Sequence, residues 1–137
     1  MVTPEEGLSR LRAAERDGEL ARMCRRTGIE LLTVFGSLAR GDDAPRDVDI
    51  AVLPSRGFAL DLLNVIAELV ELAGLEQIDV VDLSAAGPVL RERALVGAIV
   101  LHEERPGIWA RASTAAVMER MDTDWLRRLD LDLLAGR

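Results

Sequence analysis

Lysine is absent from this sequence, and so is tyrosine; all 17 basic residues are arginine. A chain without lysine forms no lysine Schiff base and makes no lysine contact to a phosphate. One histidine, His102, leaves too little for a Ser-His-Asp or Cys-His arrangement, and one cysteine, Cys24, excludes an internal disulfide and any multi-cysteine zinc site. His102 at a strand end and Cys24 among apolar neighbours both read as structural. Basic residues are outnumbered by 24 acidic ones, for a net charge of −7. That balance argues against direct nucleic-acid binding, which needs phosphate-neutralising cations on one face. No apolar run approaches the roughly 20 residues that span a bilayer. The start, MVTPEEGLSR, lacks a basic segment followed by an apolar one. A cytoplasmic protein without membrane contact is the expectation.

What is present is one domain's worth of chain, about half apolar and about a third charged. Thr3-Pro4-Glu5-Glu6 has the chemistry of a helix start: a cap, proline in the first turn, then acids. Leu8, Leu11, Leu20 and Met23 continue it, with Gly18 a break and Gly28 the end. Ile29–Phe35 reads as a strand. Asp42-Asp43-Ala44-Pro45 is a turn. Val48, Ile50 and Val52 then alternate with Asp47, Asp49 and Ala51, the period of a strand with two unlike faces. Phe58–Gly74 reads as a helix with one polar stripe (Asp61, Asn64, Glu68, Glu71). Ile78–Leu83 is a third strand, Gly87–Val96 a short helix and Ala98–His102 a fourth strand. A helical pattern runs from Pro106 to Leu134, with a break expected near Asp122-Thr123-Asp124. The division is a helical segment over 1–28, a mixed α/β core over 29–104 and a helical segment over 105–137.

Asp47 and Asp49 pose a problem, because carboxylates in an otherwise apolar strand are costly without a counter-charge. Strand alternation places them together on the face opposite Val48, Ile50 and Val52. In the third strand the same parity selects Asp79, beside apolar Ile78 and Val80, and rejects Asp82. Three carboxylates on one sheet face repel one another unless a divalent cation joins them, and oxygen donors suit Mg²⁺ or Mn²⁺ rather than zinc. An edge strand that carries charge to discourage aggregation is the plainer alternative. Gly36-Ser37, just past the first strand, lets a ligand approach the backbone and offers a hydroxyl and N–H groups to a phosphate. Arg40, one turn on, adds a cation. A phosphate cradle beside a metal-binding carboxylate cluster is apparatus for phosphoryl or nucleotidyl transfer.

Gly36-Ser37, nine residues, then Asp47-Val48-Asp49 resembles the signature of the DNA polymerase β-like nucleotidyltransferases. "FGSLARG" and "IDVVDL" are similar to the smallest branch, the minimal nucleotidyltransferase (MNT) domains. The resemblance covers residues 29–102. It implies a small mixed sheet with helices packed on one face, plus N- and C-terminal helices. It also implies Gly36 and Ser37 on the triphosphate of ATP, Asp47 and Asp49 on Mg²⁺, and Asp79 as a third ligand or as base. Two departures stand out: the branch commonly has ten intervening residues, and Arg46 stands where serine is common. Arg46 beside the acid pair is placed to contact phosphate or to substitute for a metal. The branch further implies a helical HEPN-domain toxin as partner, with AMP moved from ATP to a hydroxyl on it. The competing readings are a nucleotide-binding module that silences its partner by occlusion, and an adenylyltransferase for a small hydroxylated molecule. Trp109, Ala112, Ala116, Trp125 and Leu129 form either a partner-binding face or a cover for the open side of the sheet. That cover, or a second copy of the chain, must shield Val81 and Leu83.

Overall fold

The computed structural model describes residues 2–136. Helix α1 (Pro4–Arg16) begins as its sequence dictates: the Thr3 hydroxyl accepts the Glu6 N–H at 3.1 Å, Pro4 opens the helix, and Glu5 and Glu6 lie at its positive end. Gly18, at φ 84°, turns the chain into α2 (Glu19–Thr27). There follow β1 (Ile29–Phe35), α3 (Gly36–Arg40), β2 (Val48–Pro54), α4 (Leu62–Ala73), β3 (Ile78–Asp82), α5 (Pro88–Leu95), β4 (Ile99–Glu103) and α6 (Ile108–Leu134). Helix α4 starts four residues later than the apolar pattern suggests, because the Asp61 side chain accepts the Asn64 N–H and caps it there. No break occurs at residues 122–124, where α6 continues unbroken; good helix formers on both sides override the local capping signal.

The strands form one mixed sheet in the order β3-β2-β1-β4. Strand β1 pairs antiparallel with β2 and β4, while β2 and β3 run parallel through the α4 crossover. One face carries Leu32, Val34, Val48, Ile50, Val52 and Ile78, buried against α1, α2 and α4. The other carries Leu31, Phe35, Ala51 and Leu83, packed against Ala94 and Leu95 of α5 and Ile108 and Ala116 of α6. The expectation of helices on one face holds for α1, α2 and α4; α5 and the start of α6 cover part of the second face as well. They are what shields Leu83 and, in part, Val81.

Helix α5 ends without a glycine cap, its C-cap Val96 being extended. Two side chains from elsewhere in the fold satisfy its last carbonyls instead. The buried Thr33 hydroxyl donates to Ala94 O at 2.9 Å, and Trp109 Nε1–H donates to Leu95 O at 2.9 Å. Thr33→Val removes the first bond at nearly constant volume and leaves a buried carbonyl with one partner fewer. It is expected to cost about 1–2 kcal/mol, read as a lower denaturation midpoint with an unchanged m-value.

Beyond Ala116 the stripe expected on α6 divides. Trp109, Ala112 and Ala116 lie against the sheet, whereas Met118, Met121, Trp125, Leu129 and Leu133 are exposed. Their spacing of three and four residues puts them on a separate face of the helix. Among the described residues no helix is long and apolar enough to cross a membrane.

Candidate active site

Strand alternation does to the acids what the sequence requires. Asp49 lies between Val48 and Ile50, both fully buried on the α1/α2/α4 side, so its carboxylate emerges on the other face. In the parallel β2–β3 ladder Asp49 is the register partner of Asp79, and neighbours in register share a face. Asp47, half-buried, immediately precedes β2 and has the same parity as Asp49. Asp82 has the opposite parity and is engaged in a turn: its Oδ1 accepts the Ser84 N–H at 2.9 Å and the Ser84 hydroxyl at 2.6 Å.

The ends of β1 and β2 and the C-terminal part of α5 enclose a cleft of about 590 Å³, lined among others by Gly36, Ser37, Arg40, Asp49, Asp79 and Arg93. Gly36 has φ +79°, and a Cβ there would run into the Asp49 carboxylate. This glycine therefore makes room for a side chain of the site itself, as well as meeting a backbone demand. Among the described residues the Ser37 side chain has no hydrogen-bond partner, and no side chain caps the start of α3.

The Asp49 carboxyl is held above the usual carboxylate range, first by burial, then by the negative charges of Asp79 and Asp47; Arg40 and Arg93 pull the other way, less strongly. Asp49 is thus within electrostatic reach of both other acids and of two guanidinium groups. Arg40 is itself bonded to Asp42, with Nη2 at 2.8 Å and Nε at 3.1 Å from Oδ2. Among the described residues no three His, Cys, Asp or Glu side chains are gathered closely enough to hold a metal ion by themselves. The donors nonetheless suit a hard cation: they are carboxylate oxygens with an uncompensated charge, and Mg²⁺ is commonly held by one or two carboxylates together with substrate phosphates.

Arg46 is exposed in the loop before Asp47 and does not line the cleft. The sequence reading missed Arg93 of α5, together with Val96, Gly97 and Ala98 of the turn that follows it, which line the cleft. Burial pushes the Cys24 thiol up to about 12, which removes it as a nucleophile. His102, buried on β4, lies beside Glu104 at 3.1 Å, away from the cleft. Both remain structural residues.

The family model for polymerase beta nucleotidyltransferases matches residues 19–106, which span the whole sheet and every cleft residue named above. The chain belongs to that family. A solved minimal nucleotidyltransferase is 34% identical, with 67% of this chain and 93% of that one covered and a TM-score of 0.55. The fold is shared with two more distant structures. One is a toxin–antitoxin complex with AMP-PNP, at 20% identity and TM-score 0.67, covering 87% of this chain and 98% of that one. The other, from Shewanella oneidensis, is a tri-AMPylated HEPN toxin in complex with its MNT antitoxin. Its matched chain shows 19% identity and a TM-score of 0.64, covering 91% of this chain and 98% of that one. No curated protein matches the sequence. Of the residues singled out from the sequence, Gly36, Ser37, Arg40, Asp49 and Asp79 line the cleft, while Asp47 stands just before β2 outside its lining. Arg93 carried no signal in the sequence.

Proposed function

We propose that this nucleotidyltransferase moves AMP from ATP to a hydroxyl on a partner protein, in the manner of an MNT antitoxin acting on a HEPN-type toxin. One observation carries the reading: Asp49 and Asp79 meet in register inside a cleft that Gly36 and Ser37 also line, with Gly36 directly against the Asp49 carboxylate. In this reading Gly36 and Ser37 receive the phosphates, and Asp47 and Asp49 hold Mg²⁺ or Mn²⁺ with Asp79 as third acid. When bound, the cation neutralises charge on the phosphates and at the attacking oxygen. The acceptor oxygen bonds to the α-phosphorus as the α–β phosphoanhydride bond breaks. Pyrophosphate leaves, and Asp79, exposed at the cleft, takes the hydroxyl proton. The acceptor is assigned to a protein because the neighbouring structures include an antitoxin bound to an AMPylated toxin.

The test incubates the chain with Mg²⁺, ATP labelled at the α-phosphate and a HEPN-domain protein or host lysate as acceptor, with an Asp47→Asn/Asp49→Asn double variant in parallel. Label on the partner in the wild-type reaction alone is the expected result. A partner that binds both proteins equally and gains label from neither supports a module that silences by occlusion instead.

A further inference from the structure

The cleft's two lining cations differ in what already engages them. Arg40 is bonded to Asp42 at the far end of α3. Arg93 is exposed, and among the described residues no carboxylate pairs with it. Its neighbours on α5 show how unusual that is. Arg91 is tied into the fold, with Nη2 donating to Ala86 O at 2.7 Å, Nε donating to Leu83 O at 3.1 Å, and Glu119 as its ion-pair partner. Glu92 is paired with Arg120. Arg93 alone of this run projects into the cleft with its donors unused, and the backbone behind it is fixed by the Thr33 bond to Ala94 O.

Arg93 also lies at a boundary. It and Val96 line both the cleft and an adjoining groove of about 360 Å³ formed with Val89, Glu92 and Arg120. An anion held by Arg93 would therefore sit at the mouth of the cleft rather than over its acidic floor. A nucleoside triphosphate carries more negative charge than its reacting phosphate alone, and without lysine an arginine is the permanently charged side chain available to it. An unengaged, planar donor group on a rigid helix is suited to that task.

We infer that Arg93 holds the phosphate chain beyond the α-phosphate, making it the residue that distinguishes a nucleoside triphosphate from a monophosphate at this site. The inference rests on the nucleotide-transfer reading above. The experiment titrates AMP-PNP with Mg²⁺, and separately AMP, into the wild-type chain, Arg93→Ala and Arg93→Lys, with thermal melts to confirm folding. Arg93→Ala is expected to weaken AMP-PNP binding by about tenfold or more, the usual cost of losing a charged phosphate contact. AMP affinity should stay within about twofold by the same scale, and Arg93→Lys should recover part of the loss. Unchanged AMP-PNP binding in a folded Arg93→Ala variant overturns the assignment, as does an equal loss for AMP. A wild-type chain that binds no AMP-PNP overturns the nucleotide reading itself, and this inference with it.

Discussion

Asp49→Asn is expected to abolish AMP transfer while leaving the protein as stable as before, or more so. If the proposed reaction holds, the loss of transfer should be at least about a thousandfold, since the change would remove a ligand to a cation worth several kcal/mol in the transition state. The stability half follows from the local charge. Asp49 is raised above its ordinary value of 3.8 by burial and by Asp79 and Asp47. The folded chain thus holds this proton more tightly than the unfolded chain does. Above the folded value, ionised Asp49 costs stability; below 3.8, where the group is protonated in both states, that cost is gone. Asparagine carries no charge, so without added metal the variant's Tm should equal or exceed that of wild type at neutral pH. The gap should close as pH falls toward 3.8. A Tm clearly below wild type at neutral pH would show that Asp49 serves the fold rather than the reaction.

Gly36→Ala should have the second large effect, and here stability and activity fall together. A side chain at φ +79° costs about 1–2 kcal/mol by itself. The new Cβ would also collide with the Asp49 carboxylate, so the carboxylate must move out of its place. A fall in Tm of roughly 5–10 °C is expected for a chain of this size, together with loss of transfer. Gly41→Ala is the control: its φ is +74°, but an added Cβ meets nothing within 4 Å, so only the conformational part of the cost should appear. The collision itself is isolated in an Asp49→Ala background, where Gly36→Ala should cost measurably less than in wild type. Equal costs in the two backgrounds would rule the collision out.

The strands were legible because their residues state their own periods. Val48, Ile50 and Val52 alternate with Asp47, Asp49 and Ala51, and the same parity at Ile78 and Val80 separates Asp79 from Asp82. The αL glycines at 18, 28 and 74 likewise marked where helices stop. What could not be read was how elements distant in sequence meet. Arg93 lies in a helix of unremarkable pattern, and its place in the cleft depends on Thr33 and Trp109, 60 residues before it and 16 after it. The capping signal at residues 122–124 misled for a related reason, since a helix of 27 residues carries its own continuity past one unfavourable turn. The face of α6 was half legible: apolar spacing revealed the stripes but not which of them the sheet would cover.

The α4 crossover between β2 and β3 also has a consequence in time. Asp49 and Asp79 stand side by side only through a parallel pairing, which no local hairpin can make and which must await the docking of α4 onto the sheet. The acids are therefore expected to stay apart for much of the folding route and to meet late in it. A repulsion that enters so late is largely missing from the transition state and bears on the native state alone. It leaves the rate of folding almost untouched and shortens the lifetime of the folded molecule; whatever ion or ligand neutralises the acids lengthens that lifetime again.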